Sequence, residues 1–126
     1  MTLNRADENV VQISSLNQNQ SERMIAIIAL GILEGVKNGV VDFTEAENCL
    51  FGPYGRGVLV NLGLSKKLVD IVHSGSALED MEDIFPQNPE LGLLREIEKL
   101  QNDVLEILRK TKYDPYDYKD WLDYQV

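Results

Sequence analysis

Cysteine, histidine and tryptophan each occur once in the 126 residues, as Cys49, His73 and Trp121. One cysteine cannot close an internal disulfide, so the fold must rest on its apolar core, and a lone thiol fits a reducing compartment. One histidine and one cysteine supply too few ligands for a zinc site. They leave a single formal nucleophilic pair, Cys49 with His73. Cys49, however, stands between Asn48 and Leu50-Phe51 in a short helical stretch, where a free cysteine behaves as a small buried apolar residue. His73 stands at the C-terminal end of another, where the helix dipole favours it without any catalytic role. The sequence holds no Walker loop, GxGxxG or GxSxG run. The expectation is a protein that is not an enzyme and carries no cofactor or metal.

Long apolar runs are also missing. The longest, residues 24–33, covers ten positions, about half of the roughly 20 that span a bilayer. The opening MTLNRADENVVQ has no basic segment leading into an apolar one, so no secretory signal is expected and the expected location is the cytoplasm. Positive charge is scarce too: 12 basic residues face 21 acidic ones, a formal charge of −9. Phosphate backbones and anionic lipid repel such a chain, so neither nucleic acid nor membrane is an expected partner, whereas basic surfaces attract it. The charge is local. Residues 76–90 hold five acids and no lysine or arginine, and residues 113–126 hold four aspartates and only Lys119, leaving about −1 for the rest.

What is present reads as one helical domain, since the length suits a single core without cross-links. Residues 1–20 form a polar arm in which Val10, Val11, Ile13 and Leu16 could make a short strand or stay loose. Ser21 is the expected cap of a helix running to about Asn38 and closed by Gly39. Its centre, MIAIIALGIL, is apolar nearly all round, which places it centrally with neighbours on several sides. Gly31, Gly35 and Gly39 fall near one face of it, as a close-packing seam or as room for a crossing helix. Asn38-Gly39 also suits a hairpin turn. Thr44 with Glu47 makes a capping box for a short helix that Gly52-Pro53 ends, and Tyr54-Gly55-Arg56-Gly57 reads as a turn. A helical stretch follows, stopped by Gly63. Ser65 caps the next helix, which ends near Gly75, and Ser76 with Glu79 opens another to about Phe85. Pro89 opens the clearest helix, to about Thr111, with Leu93, Ile97, Leu100, Val104 and Ile107 on one stripe that packs on residues 24–33. The predicted class is all-α: an irregular bundle of two longer helices and several short ones, with little or no sheet, spanning residues 21–112.

Two stretches offer a surface. Glu79, Asp80, Glu82 and Asp83 provide oxygens for a hard cation, but consecutive helical carboxylates diverge and no EF-hand spacing accompanies them. A solvated or partner-facing surface is the better reading. The terminal segment, 113–126, sets Tyr113, Tyr116, Tyr118, Trp121 and Tyr124 among Asp114, Asp117, Asp120 and Asp123. Aromatic rings give large contact area with few torsions to freeze, and the aspartates meet basic residues and steer their approach. Carboxylates interleaved with rings also imitate phosphates interleaved with bases, the shape a nuclease groove holds. The alternative is a tail that packs its rings onto its own domain.

Gly39-Val40-Val41, Glu45-Ala46, Leu50-Phe51-Gly52-Pro53-Tyr54 and the run from Leu78 to Pro86 (LEDMEDIFP) resemble a family of small uncharacterised bacterial proteins. That resemblance spans roughly residues 30–86 and implies no activity. In size, acidity and lack of catalytic groups the chain is also similar to immunity proteins of contact-dependent growth inhibition and related toxin systems. This second resemblance implies a cytoplasmic protein that neutralises a basic toxin, often a nuclease. The alternative class is a non-catalytic adaptor or homo-oligomeric structural protein.

Overall fold

A computed structural model describes residues 11–14, 17–80 and 89–124. The protein is all-α. Among the described residues its helices are α1 (Gln18–Lys37), α2 (Phe43–Cys49), α3 (Pro53–Asn61), α4 (Lys66–Gly75) and α5 (Pro89–Lys110), with a 3-10 turn at Leu78–Asp80. Two three-residue strands, β1 (Val11–Ile13) and β2 (Leu122–Tyr124), pair antiparallel and join the two ends of the chain, with Ile13 opposite Leu122 and Val11 opposite Tyr124.

The two long helices form the axis of the domain. The expected stripe on α5 is in place: Ile97, Leu100, Val104 and Ile107 are buried, and Leu93 packs against the same core. It meets Ala26, Ala29 and Leu33 of α1 in the most extensive helix contact of the fold. Each large side chain buried this way contributes about 1.5–3 kcal/mol. Three polar rungs fix the direction as antiparallel: Arg23 reaches Leu108, Gln101 donates to Glu34 at 2.7 Å, and Lys37 lies 3.8 Å from Glu98. α4 packs against both long helices: Lys67 in its first turn pairs with Glu106 at 2.7 Å, and Ser74 near its end lines one surface cleft with Lys99 and Leu100. Thus α4 is also antiparallel to α5.

Several helix starts differ from expectation. Asn17, not Ser21, caps α1, its side chain accepting the Gln20 amide at 2.9 Å; Ser21 is a buried residue of the first turn. Asp42, not Thr44, caps α2 through the Glu45 amide. Two competent caps stood within a few residues of each other, and the one that lets Ala46 face inward is used. The expected turn at 54–57 is helical, because Pro53 occupies the first position of α3. Ser76 makes no capping box; its hydroxyl donates to the His73 carbonyl, and the described residues that follow, Leu78–Asp80, form a 3-10 turn. The rest of that expected helix lies outside the described residues, as does Asn88, the residue expected to cap the helix that Pro89 opens. Ser65 caps α4 as expected, and its own amide and hydroxyl donate to the Glu22 carboxylate at 2.7 and 2.6 Å. Gly39 and Gly63 take the left-handed conformation that ends α1 and α3. No hairpin forms at Asn38-Gly39, because residues 33–37 belong to α1 and Asn38 has φ −91°.

The glycines at 31, 35 and 39 form no seam. A Cβ at Gly31 would meet nothing within 4 Å, whereas one at Gly35 would lie 2.5 Å from Val41 of the following loop.

Glu106 is the electrostatic link between α4 and α5. Lys67 and Lys110, at 2.7 and 3.0 Å, hold its carboxyl at about 2, below the ordinary 4.5. A depressed carboxyl stabilises the fold above its unfolded value and loses that contribution as pH falls through the folded one. Glu106→Gln is therefore expected to be less stable than wild type near neutral pH. Urea unfolding curves should show the difference shrinking between pH 4.5 and about 2; a pH-independent difference would remove the link.

Candidate functional site

The C-terminal end of α5 meets the N-terminal turns of α1, and the chain there leaves the helix as a loop over residues 111–121. Both ends of the loop are fastened by α1. Arg23 donates through Nη1 to the Leu108 carbonyl at 2.9 Å and to that of Thr111, covering carbonyls that the end of a helix leaves without partners. Asn19 donates to the Lys112 carbonyl at 3.0 Å. At the far end the Gln20 amide group both donates to the Lys119 carbonyl and accepts from its N–H. The Ser14 amide donates to the Trp121 carbonyl at 2.9 Å, and the β1–β2 pair follows.

Between these anchors the loop arches away from the domain. The Asp114 carboxylate accepts the Tyr116 amide at 2.9 Å, closing a tight bend with Pro115 in the position proline favours. Across the base of that bend the rings of Tyr113 and Tyr118 meet at 5.8 Å between centroids, tilted by 50°. Tyr116 at the tip is 97 % exposed, Tyr113 59 % and Tyr118 49 %, while Trp121 is half-buried. Asp114, Asp117 and Asp120 are exposed, and among the described residues none of them has an ion-pair partner. Loop and helix enclose a cleft of about 660 Å³.

The structure thus gathers most of the expected terminal residues on one loop and turns the tyrosines outward. Asp123 and Tyr124 pair through their backbones in β2, and their side chains lie outside the described residues. The other acidic stretch is elsewhere. Glu79 and Asp80 are exposed on the 3-10 turn beyond α4, beside the N-terminal half of α5. About 20 Å of helix axis therefore separates them from the loop. Glu82 and Asp83 lie outside the described residues. The Cys49–His73 pairing is not formed: Cys49 is exposed on α2 rather than buried, and His73 is exposed at the end of α4. No group of three or more His, Cys, Asp or Glu among the described residues could hold a metal ion. No helix of the described residues is long and apolar enough to cross a membrane.

A family model described as a protein of unknown function (DUF3969) matches residues 16–123. The chain belongs to the DUF3969 family. The match takes in every helix of the described residues and the whole 111–121 loop of this DUF3969 protein. No curated protein and no solved structure matches the chain.

Two features escaped the sequence reading. The fastening residues Asn19, Gln20 and Arg23 fell in or beside a stretch read as a polar arm; their signal was a run of amide side chains, which donate and accept at once, opening an apolar helix. The second is α3. Tyr54 (85 % exposed), Val58 and Leu62 stand four residues apart and make an exposed apolar stripe, with Val60 and Val40 also exposed.

Proposed function

We propose that the chain is a non-catalytic immunity protein of the cytoplasm, which binds a basic bacterial toxin, a nuclease in the first instance, and blocks its active site or substrate groove. The observation that carries this reading is the loop: three exposed tyrosines and three exposed carboxylates without ion-pair partners among the described residues, held by hydrogen bonds at both ends. Fixed ends lower the ordering cost of binding, exposed rings supply contact area, and free carboxylates meet a basic groove without first breaking pairs of their own. The formal charge of −9 adds long-range attraction to such a partner.

The test is co-expression with the product of a neighbouring toxin gene. Cells are protected, and the purified toxin domain forms a complex whose association slows roughly 10–100-fold in Asp117→Lys/Asp120→Lys and whose salt dependence weakens. Absence of both protection and complex overturns the reading. An unchanged association rate moves the interface away from the loop, to the surface around Glu79 and Asp80.

The adaptor or homo-oligomer reading has the α3 stripe in its favour. Light scattering separates the two, since a stable oligomer that Val58→Lys dissolves supports that second class.

A further inference from the structure

The cleft under the loop has a chemistry more specific than acidity. The Tyr113 and Tyr118 rings, 5.8 Å between centroids and tilted by 50°, together form its aromatic wall. Trp121 and Ile27 add apolar surface, and Asp117 and Asp120 border the same space. The volume, about 660 Å³, suits a long side chain with its flanking backbone.

The charges in the lining set what can enter. Asp114, Asp117 and Asp120 are balanced by Arg23, Lys112 and Lys119 on formal count. The Arg23 guanidinium, however, is engaged with the Leu108 and Thr111 carbonyls, the negative end of α5. It is therefore not paired with the aspartates, and among the described residues none of the three carboxylates has an ion-pair partner, which leaves their oxygens open to a cation from outside.

We propose that this cleft receives one arginine side chain of the partner, its stem and guanidinium plane against the Tyr113–Tyr118 wall and its fork at Asp117 and Asp120. The assignment rests on the reading that the loop meets a basic protein. Arginine fits better than lysine because a planar guanidinium stacks on an aromatic face while its edge still forks to carboxylates.

Trp121, the only tryptophan of the chain, borders the cleft and so reports on it directly. The experiment titrates the full chain with acetyl-Gly-Arg-Gly-amide and follows tryptophan fluorescence. The matched peptide carrying citrulline, equal in shape but uncharged, is the control. Saturation in the millimolar range is expected for the arginine peptide, with binding roughly tenfold weaker or absent for citrulline. The same loss is expected in Asp117→Asn/Asp120→Asn and in Tyr118→Leu, with circular dichroism melting as in wild type. No saturation, or equal binding of the two peptides, overturns the proposal. The neutralisation assay judges the broader reading independently. A toxin neutralised through the loop without arginine binding removes only the cleft assignment, and arginine binding without any basic protein partner removes only the immunity role.

Discussion

Replacing Phe51 by alanine is expected to lower the unfolding free energy by about 3–5 kcal/mol, the range for deleting a buried aromatic ring. Phe51 is 2 % exposed and lies among side chains from several elements. Its ring occupies the place where α4 has no side chain: a Cβ at Gly75 would sit 2.2 Å from the ring carbon Cδ1. Leu33 and Val36 of α1, Ala46 of α2 and Leu78 of the 3-10 turn border the same spot. Because those neighbours belong to four different elements, they cannot close together on the vacated volume without moving whole helices. The cavity therefore persists, and its cost adds to the lost transfer free energy. Thermal unfolding should fall by roughly 10–20 °C for a chain of this size. A shift of only a few degrees would mean that the ring is not at the junction of these helices.

That expectation divides the Leu50-Phe51-Gly52-Pro53-Tyr54 run, which carried the family resemblance, into parts with different duties. Leu50, Phe51 and Gly52 are buried, Pro53, exposed itself, starts α3, and Tyr54 is the one large side chain of the run that faces outward. Four of its five residues are explained by the corner between α2 and α3. Only Tyr54, heading the exposed stripe on α3, is left for an external role.

The fold was legible where a pattern is repeated many times. The α5 stripe, the central apolar helix and the glycine stops at 39 and 63 are each specified by several residues within one element, so periodicity and turn chemistry sufficed. Helix starts were not legible, because they are settled by competition. Ser21 and Thr44 are competent caps, but Asn17 and Asp42 stand a few residues upstream and win once the buried faces are packed. The glycines at 31, 35 and 39 are a case of false periodicity: their spacing is regular, yet one faces open space, one meets Val41, and one ends the helix.

Half of the candidate site was legible. The composition of the terminal segment pointed to exposed rings and carboxylates, and Tyr113, Tyr116 and Tyr118 are exposed. What holds them could not be read, because the bonds that fasten the loop join residues up to 99 positions apart. The same distance effect separates the two acidic stretches: they look like one charge pattern along the chain, and α5 keeps them apart.

Gly55→Ala and Gly57→Ala, two residues apart in α3, are expected to change stability in opposite directions. A Cβ at Gly55 would lie 2.1 Å from the Leu50 carbonyl oxygen and 2.9 Å from its carbon. Both atoms are backbone, so no side chain can swing aside. That carbonyl already accepts the Gly52 amide at 3.0 Å, and the amides of Leu50 and Phe51 both donate to Ala46 at the end of α2. Displacing it disturbs the corner on both sides and pulls Leu50 and Phe51 out of the core. The cost is expected to be about 3 kcal/mol or more, at the upper end for overpacking. At Gly57 an added methyl meets nothing within 4 Å. There alanine's helix preference and the restricted unfolded chain act unopposed, stabilising by about 0.5–1 kcal/mol. Urea unfolding of the two variants side by side checks both signs under one set of conditions. Equal effects would show that α2 and α3 do not approach each other at Leu50, and the account of the corner that positions Phe51 would fall with them.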